Sequence, residues 1–159
     1  MLNSIKTDNP AIKAYMNTTP LGLCDLDECL KLDQLTLNGL WSKKQWEKEL
    51  SDADRICLGI FEESMLKAFA CGWIVLDELH LTAIAVHPCN RRKGLGKKIL
   101  LDIFNKAIQT GAKKATLEVS QNNFEAIALY KKFGFLDSGI RKNYYQDGAN
   151  ALIQWTKLF

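Results

Sequence analysis

The chain has 159 residues, of which 47% are hydrophobic and 25% are charged, as is typical of one globular domain. This composition excludes a disordered chain, a fibrous repeat and a small protein held together by disulfides. Lys and Arg exceed Asp and Glu by 21 − 18 = 3 charges, which is too few for a typical nucleic-acid-binding domain. We therefore expect a single domain over residues 1–159 that does not bind nucleic acid directly.

The five cysteines indicate a reduced, cytoplasmic protein without a metal site. Their number is odd and no two have Cys-x-x-Cys spacing, while His80 and His87 lie near no cysteine pair. The N-terminus has no long apolar core, and the longest apolar stretch is shorter than the roughly 20 residues that cross a bilayer. The sequence thus predicts a cytoplasmic monomer that does not associate with membranes.

The prolines and capping residues in the N-terminal third predict an extended segment followed by two helices. Residues 11–19 lie between two prolines, as expected of a short edge strand. Asp25, followed three residues later by Glu28, predicts a capping box at the start of a helix that ends near Thr36. Ser42 is expected to cap a second helix. That second predicted helix spans residues 43–50.

From residue 55 the pattern changes to that of β-strands. Glu62-Glu63-Ser64 separates two runs rich in β-branched and aromatic residues, which predicts a hairpin. Asp77-Glu78 is expected to form the next turn. The predicted strands span residues 55–61, 66–76 and 79–86.

The C-terminal half predicts helices that alternate with strands. Helical periodicity runs from Gly94 to Gly111, and Asn122 or Asn123 is expected to cap a further helix that ends at Gly134. The predicted strands here span residues 113–120, 135–141 and 151–157. Two helices, an antiparallel meander and a β-α-β-α-β stretch together predict a mixed α/β fold.

The link between the third strand and the helix at Gly94 carries the clearest chemical signal. Gly94 and Gly96 allow the backbone to approach a ligand closely, and the helix N-terminus supplies free N–H donors with a partial positive charge. Full positive charges come from Arg91, Arg92, Lys93 and Lys97. Together these features predict a binding site for a pyrophosphate.

Spacing separates three phosphate-binding motifs at this link. A dinucleotide loop needs a third glycine, but Ile99 holds that position. A P-loop needs Ser or Thr after Gly-Lys, but Lys98 follows instead. The third pattern, Arg/Gln-x-x-Gly-x-Gly/Ala after a strand, fits Arg91, Gly94 and Gly96. In this pattern the chain resembles the GNAT N-acetyltransferase superfamily, whose corresponding loop binds the pyrophosphate of coenzyme A.

Further motifs extend this resemblance over residues 73–157. The segment Asn123-x-x-Ala126-x-x-Leu129-Tyr130-x-x-x-Gly134-Phe135 is similar to the second cofactor segment of the superfamily. The chain most resembles the bacterial ribosomal-protein-alanine N-acetyltransferases and their archaeal relatives. Their motifs are matched by Ile84-Ala85-Val86, Leu117-Glu118-Val119, residues 126–130 and Arg141-x-Asn143-Tyr144-Tyr145. Apart from Trp41-Ser42, the first 40 residues match poorly.

The resemblance implies the GNAT fold, a twisted mixed sheet of about six or seven strands flanked by about four helices. It also implies acetyl-CoA as cofactor, with the pantetheine arm along the backbone of the third strand. The cofactor-binding residues so implied are Ile84, Ala85, Val86, Arg91, Arg92, Lys93, Gly94, Leu95, Gly96, Lys97, Asn123 and Tyr130.

The resemblance further implies that Glu118 is the general base and Tyr130 the general acid. Deprotonating a peptide α-amine at pH 7 costs about 1.4 kcal/mol, against about 4.6 for a lysine side chain, so a carboxylate suffices for the α-amine. Without the resemblance, an ordinary strand glutamate and a packed tyrosine would explain both residues.

We expect the acetyl acceptor to be the N-terminal alanine of a small-subunit ribosomal protein. The residues expected to line its groove are Trp41, Asp77, Glu78, Tyr144 and Tyr145, although Trp41 could equally be packing. Two alternatives remain at this point. One is a GNAT enzyme for a polyamine, an antibiotic or a lysine side chain, and the other is a non-catalytic module that binds coenzyme A.

Overall fold

The computed structural model of the protein describes residues 17–158, which form a seven-stranded sheet with the strand order β1-β2-β3-β4-β5-β7-β6. The strands are β1 Thr18–Pro20, β2 Arg55–Glu62, β3 Met65–Val75, β4 Glu78–Val86, β5 Lys114–Ser120, β6 Leu136–Arg141 and β7 Ala151–Lys157. The helices are α1 Leu26–Leu37, α2 Lys43–Ser51, α3 Leu95–Gln109 and α4 Phe124–Lys132, with short 3-10 turns at Leu23–Asp25 and Pro88–Asn90. This is the mixed α/β fold that the sequence predicts.

The sheet is antiparallel except at its centre. β1 to β4 pair in antiparallel order, β4 and β5 are parallel, and β7 pairs with β5 on one side and β6 on the other. The connection from β4 to β5 runs through α3, as a parallel crossover requires. The parallel pair therefore places the start of α3 beside the C-terminal ends of β4 and β5.

Two hydrophobic cores hold the helices against opposite faces of the sheet. On one face α3 buries the predicted apolar stripe, which includes Ile99 and Ile103, together with residues of α4. On the other face α1 and α2 pack on β2, β3 and β4 around Trp46, which is fully buried against Phe69 with 5.1 Å between ring centroids. Burying a side chain of this size contributes about 1.5–3 kcal/mol.

Local caps and turns differ from the sequence prediction in two places. The capping box predicted from Asp25 and Glu28 is wrong, because Asp25 Oδ2 accepts from Gly22 N (2.9 Å) and Glu28 Oε2 accepts from Leu66 N (3.1 Å) on β3. The turn before β4 consists of Leu76 and Asp77, so that Glu78 belongs to the strand. Residues 11–16 of the predicted edge strand lie outside the described residues.

The second helix is capped as predicted. Ser42 Oγ accepts from Gln45 N (3.3 Å), while Gln45 Oε1 accepts from Ser42 N (2.8 Å). This reciprocal pair fixes the start of α2 and therefore the loop before it, which contributes to the site described next.

Candidate active site

β4 and β5 separate to form a wedge at the centre of the sheet. They pair over only four positions, Glu78 to Leu81 of β4 with Lys114 to Leu117 of β5. Beyond this point the edge of β4 that faces β5 has no strand partner in the described part of the chain. The C-terminal halves of both strands therefore border a gap.

A β-bulge lies where the wedge begins. On β3, Cys71 pairs with Ala83 and Gly72 pairs with Leu81, which leaves Thr82 as the extra residue of β4. The Thr82 hydroxyl donates to Cys71 O at 3.1 Å. A side chain at Gly72 would place its Cβ 2.7 Å from the carbonyl oxygen of His80, so this pairing requires glycine.

Two cavities meet in the wedge. The basic cavity holds about 580 Å³ and is bordered by Arg91, Arg92 and Lys97. The acidic cavity holds about 720 Å³ and is bordered by Glu49, Glu78 and Glu118. Both are lined by Leu37, Ile84, Asn123, Ala126 and Tyr130. The shared residues mark the place where a group could pass from one ligand to another.

The basic cavity lies at the N-terminus of α3. Gly94 caps this helix, and the first helical backbone bond runs from Lys98 N to Gly94 O at 3.0 Å. The preceding amides are left without helical acceptors and carry the positive end of the helix dipole. At Gly96 a Cβ would lie 3.3 Å from Leu129 Cδ2, so glycine allows α3 to approach α4 closely. The site therefore suits a phosphorylated anion.

Glu118 lines the acidic cavity and is held by the β6–β7 hairpin. Arg141 forms an ion pair with Glu118, with 2.6 Å between Nε and Oε1. The Tyr144 hydroxyl also bonds to this carboxylate, which raises the pKa of Tyr144 and keeps it protonated. The carboxylate is thus held by the Arg141 ion pair and by Tyr144, while 27% of its side chain remains exposed to take part in a reaction.

Tyr130 stands between the two cavities. Its side chain is 4% exposed, and burial raises the pKa of its phenol far above the usual value, with Tyr145 adding to the effect. Within residues 17–158 its hydroxyl makes no hydrogen bond. Tyr130 therefore carries a proton that is free to be donated to a ligand.

The loop between α1 and α2 forms one wall of the acidic cavity, and buried Asp33 fixes that loop. The Asp33 carboxylate accepts from Leu40 N (2.7 Å), Trp41 N (3.1 Å) and Trp46 Nε1 (2.7 Å). Trp41 packs edge-on against Trp46 with 4.8 Å between ring centroids. The role of Asp33 is absent from our sequence analysis, although an acidic residue in the buried stripe of α1 is a signal for it.

Glu49 is a further carboxylate that the sequence analysis did not identify. It lines the acidic cavity, and one of its oxygens, Oε2, is buried without a hydrogen-bond partner. Burial raises the pKa of Glu49, and Arg55, 3.6 Å away, partly offsets this effect. The remaining unpredicted residues of interest are Trp73, His80 and Thr116.

Comparison with known proteins identifies the family. The family model described as "Acetyltransferase (GNAT) family" matches residues 23–135. The chain belongs to the GNAT acetyltransferase family. An Escherichia coli relative named "[Ribosomal protein bS18]-alanine N-acetyltransferase" is 34% identical over 131 residues, covering 82% of this chain and 88% of the relative. A Salmonella typhimurium relative of the same name is 35% identical over 136 residues, again covering 82% of this chain and 88% of the relative.

A solved structure agrees with these relatives. The crystal structure of the ribosomal-protein-S18-alanine N-acetyltransferase from Escherichia coli has a TM-score of 0.82 and 31% identity. The similarity covers 89% of this chain and 93% of that one. The GNAT fold expected from the sequence is therefore confirmed.

As a GNAT acetyltransferase, this chain uses acetyl-CoA as its acetyl donor. The basic cavity fits that cofactor in its chemistry, because helix amides and cations meet there beside the unpaired edge of β4. Of the predicted cofactor residues, only Lys93 lies outside the lining of this cavity, and the others border it. The predicted residues bordering it are Ile84, Ala85, Val86, Arg91, Arg92, Gly94, Leu95, Gly96, Lys97, Asn123 and Tyr130.

The predicted acceptor residues gather at the acidic cavity with one exception. Trp41, Glu78, Tyr144 and Tyr145 line it, whereas Asp77 does not. Asp77 lies in the preceding turn, where its carbonyl accepts from Lys113 N at 2.7 Å.

Neither a metal cluster nor a membrane helix is found in residues 17–158. No group of three or more His, Cys, Asp or Glu side chains there could hold a metal ion. No helix in the same range is long and apolar enough to cross a bilayer.

Proposed function

We propose that this enzyme transfers the acetyl group of acetyl-CoA to the N-terminal α-amine of a ribosomal protein that begins with alanine. The observation that carries the proposal is that Glu118 and Tyr130 line the same acidic cavity, and that Tyr130 also lines the adjoining basic cavity. The names of the two relatives and of the similar crystal structure support the choice of acceptor.

In this proposal acetyl-CoA supplies an activated thioester in the basic cavity. The α3 amides, Arg91, Arg92 and Lys97 bind its pyrophosphate, and the unpaired edge of Ile84–Val86 pairs with its pantetheine arm. The Asn123 side chain caps α4 through Oδ1, which accepts from Ala126 N at 3.1 Å. Its NH₂ group is thereby left to donate to the ligand.

Glu118 acts as general base towards the acceptor amine. It removes the proton, directly or through one water, so that the neutral nitrogen attacks the thioester carbon. For an α-amine this deprotonation costs about 1.4 kcal/mol at pH 7. Arg141 and Tyr144 hold the carboxylate in place for that step.

Tyr130 acts as general acid towards the departing sulfur. Its raised pKa keeps the phenol neutral at every pH at which the protein works, so the proton is always present. The hydroxyl has no competing acceptor among residues 17–158. It can therefore donate to the developing thiolate and stabilise the negative charge there.

The acidic cavity accepts the N-terminal peptide. Trp41, Tyr144 and Tyr145 supply aromatic walls beside Glu118, which suits one small side chain followed by extended backbone. Glu49 and Glu78 also border the cavity, where Arg55 at 3.6 Å and Lys114 at 3.1 Å respectively balance their charges. An enzyme with this acceptor would act in the cytoplasm, and we propose that it does so as a monomer.

A panel of acceptors tests the proposal. Peptides that begin with alanine should be acetylated faster than the same peptides beginning with leucine, and faster than spermidine or an internal lysine. Faster acetylation of spermidine or lysine would overturn the choice of acceptor, and acetyl-CoA binding without turnover of any amine would overturn the enzymatic function.

A further inference from the structure

A line of side chains crosses the sheet next to the acidic cavity. Residue pairs in direct register place the side chains of both partners on the same face. Such pairs join Trp73 to His80, His80 to Thr116, Thr116 to Trp155 and Trp155 to Leu136. We call these five residues the aromatic row.

The helices leave much of this row uncovered. In the described part of the chain, the core beneath α1 and α2 takes strand residues from β2, β3 and β4 only. Trp73 is 36% exposed, Trp155 37% and Leu136 61%. Adjacent exposed apolar side chains of this size on a sheet face are typical of a binding surface.

The aromatic row is continuous with the acidic cavity. Trp73, His80 and Thr116 belong to the lining of that cavity. Thr116 precedes Glu118 by two residues on β5, so the two side chains point to the same face about 7 Å apart. A polypeptide whose first residue lies at Glu118 can therefore continue directly onto the row.

We propose that the aromatic row binds the acceptor polypeptide beyond its N-terminal residues, through apolar or aromatic side chains that pack on Trp155 and Leu136. This inference rests on the proposed function. Two residues along β5 and two strand spacings separate Glu118 from Leu136, a distance of about 12 Å. An extended chain covers that distance in about four residues, so acceptor positions from about three to six lie over the row.

Charge near the row is balanced by cations of the chain. Glu78 lies on β4 two residues before His80 and also lines the acidic cavity. Lys114 Nζ lies 3.1 Å from Glu78 Oε2, and the Arg55 guanidinium lies 4.8 Å from the centroid of the Trp73 ring. The row is therefore expected to recognise its partner through apolar contacts rather than through charge.

Peptide length provides the test. Two peptides share the same alanine N-terminus, one of about two residues, which ends before the row, and one of about eight, which spans it. We expect the wild-type enzyme to acetylate the long peptide with a kcat/KM about tenfold higher. The Trp155→Thr variant should lose most of that advantage, because threonine keeps the strand but removes the ring.

Two further variants complete the experiment. Leu136 is more exposed than Trp155, and Leu136→Thr should also reduce the ratio of long-peptide to short-peptide kcat/KM. Leu23→Ala removes an exposed side chain outside the row, on the 3-10 turn before α1, and should leave that ratio unchanged.

The outcomes separate this inference from the proposed function. Equal kcat/KM for the two peptides in the wild type, or an unchanged ratio in both row variants, overturns the role of the row while alanine acetylation still stands. If neither peptide is acetylated, the proposed function itself fails.

Discussion

Glu118 has little freedom to move, because its carboxylate is bound by Arg141 and Tyr144 of the neighbouring hairpin. The Glu118→Gln variant keeps the shape of the side chain but cannot accept the proton of the acceptor amine. We expect kcat/KM for an alanine peptide to fall about 100-fold at pH 7 and to recover to within about tenfold near pH 9.5, where the amine is already neutral. A pH–rate profile measures this recovery.

The matched control for this variant is Glu63→Gln, in the exposed turn between β2 and β3. The Glu63→Gln enzyme should show the same pH–rate profile as the wild-type enzyme. A Glu118→Gln enzyme that stays equally impaired at high pH would show that the carboxylate does not act as a base.

Removing the hydroxyl of Tyr130 tests the general acid. Tyr130→Phe should lower kcat about 10- to 100-fold while leaving the thermal shift caused by acetyl-CoA nearly unchanged. The free energy of unfolding should also change little, because the buried hydroxyl has no bond within residues 17–158 to lose. A large loss of acetyl-CoA binding would instead assign the hydroxyl to cofactor recognition.

Residues that belong to continuous motifs could be predicted, whereas residues brought in by packing could not. The phosphate-binding role of Gly94 and Gly96, for example, was predicted from their spacing within one loop. Trp73 and His80 reach the acidic cavity through strand register, and Asp33 fixes the loop that forms its wall through helix docking. Local spacing encodes neither of these long-range arrangements. Their contribution therefore became visible only in the folded structure.

At the scale of elements, the bulge that opens the wedge depends on the absence of a side chain at Gly72. In Gly72→Ala the new Cβ would collide with backbone at His80, which cannot swing away as a side chain could. We expect a loss of about 1–3 kcal/mol in the free energy of unfolding, measured by urea denaturation, together with a raised KM for the acceptor.

Gly22→Ala is the matched control, because Gly22 has open space around its Cβ direction and an extended backbone with φ −134°. Its stability should change by less than about 1 kcal/mol. Equal stability of the two variants would mean that β3 and β4 can shift to accommodate a side chain at the bulge.

The elements themselves were largely predictable. The last strand, Ala151–Lys157, has the predicted bounds, and Ser42 caps α2 as expected. The capping box at Asp25 failed because Glu28 finds a partner on β3, 38 residues away, and a tertiary contact of this kind overrides a local preference. The bulge at Thr82 was not predicted, since it arises from how β3 and β4 fit together.

At the scale of the whole molecule, stability should fall steadily in alkaline solution. Burial raises the pKa of Cys29 from 9.0 to about 12 and that of Tyr145 from 10.0 to about 12, and it also raises the pKa of Cys71. The unfolded chain therefore releases these protons at lower pH than the folded protein, and deprotonation favours unfolding. The stabilising effect is complete below pH 9 and is lost as pH rises towards 12.

The slope approaches about 1.4 kcal/mol per pH unit for each such group between its unfolded and its folded pKa, that is, above 9.0 for Cys29 and above 10.0 for Tyr145. Denaturation in steps of one unit from about pH 8 to about pH 11 can measure it. Cys29→Ala should reduce the slope by the contribution of one group, about 1.4 kcal/mol per pH unit. The same variant also lowers the overall stability. Cys24→Ala, at an exposed position, should leave the slope unchanged. A flat profile between about pH 9 and about pH 11 would contradict this account.

The wedge between β4 and β5 also bears on how the protein avoids association. A strand edge with free N–H and C=O groups at the border of a sheet is a template on which another chain can pair and aggregate. Here the free edge of β4 lies in the middle of the sheet, with β5 on its far side and α4 residues Asn123 and Tyr130 beside it. To pair with this edge, the strand of a second protein would have to displace β5 and the residues beside it. The unpaired N–H and C=O groups of β4 thus remain accessible to a ligand, while β5 hinders strand pairing with another protein molecule.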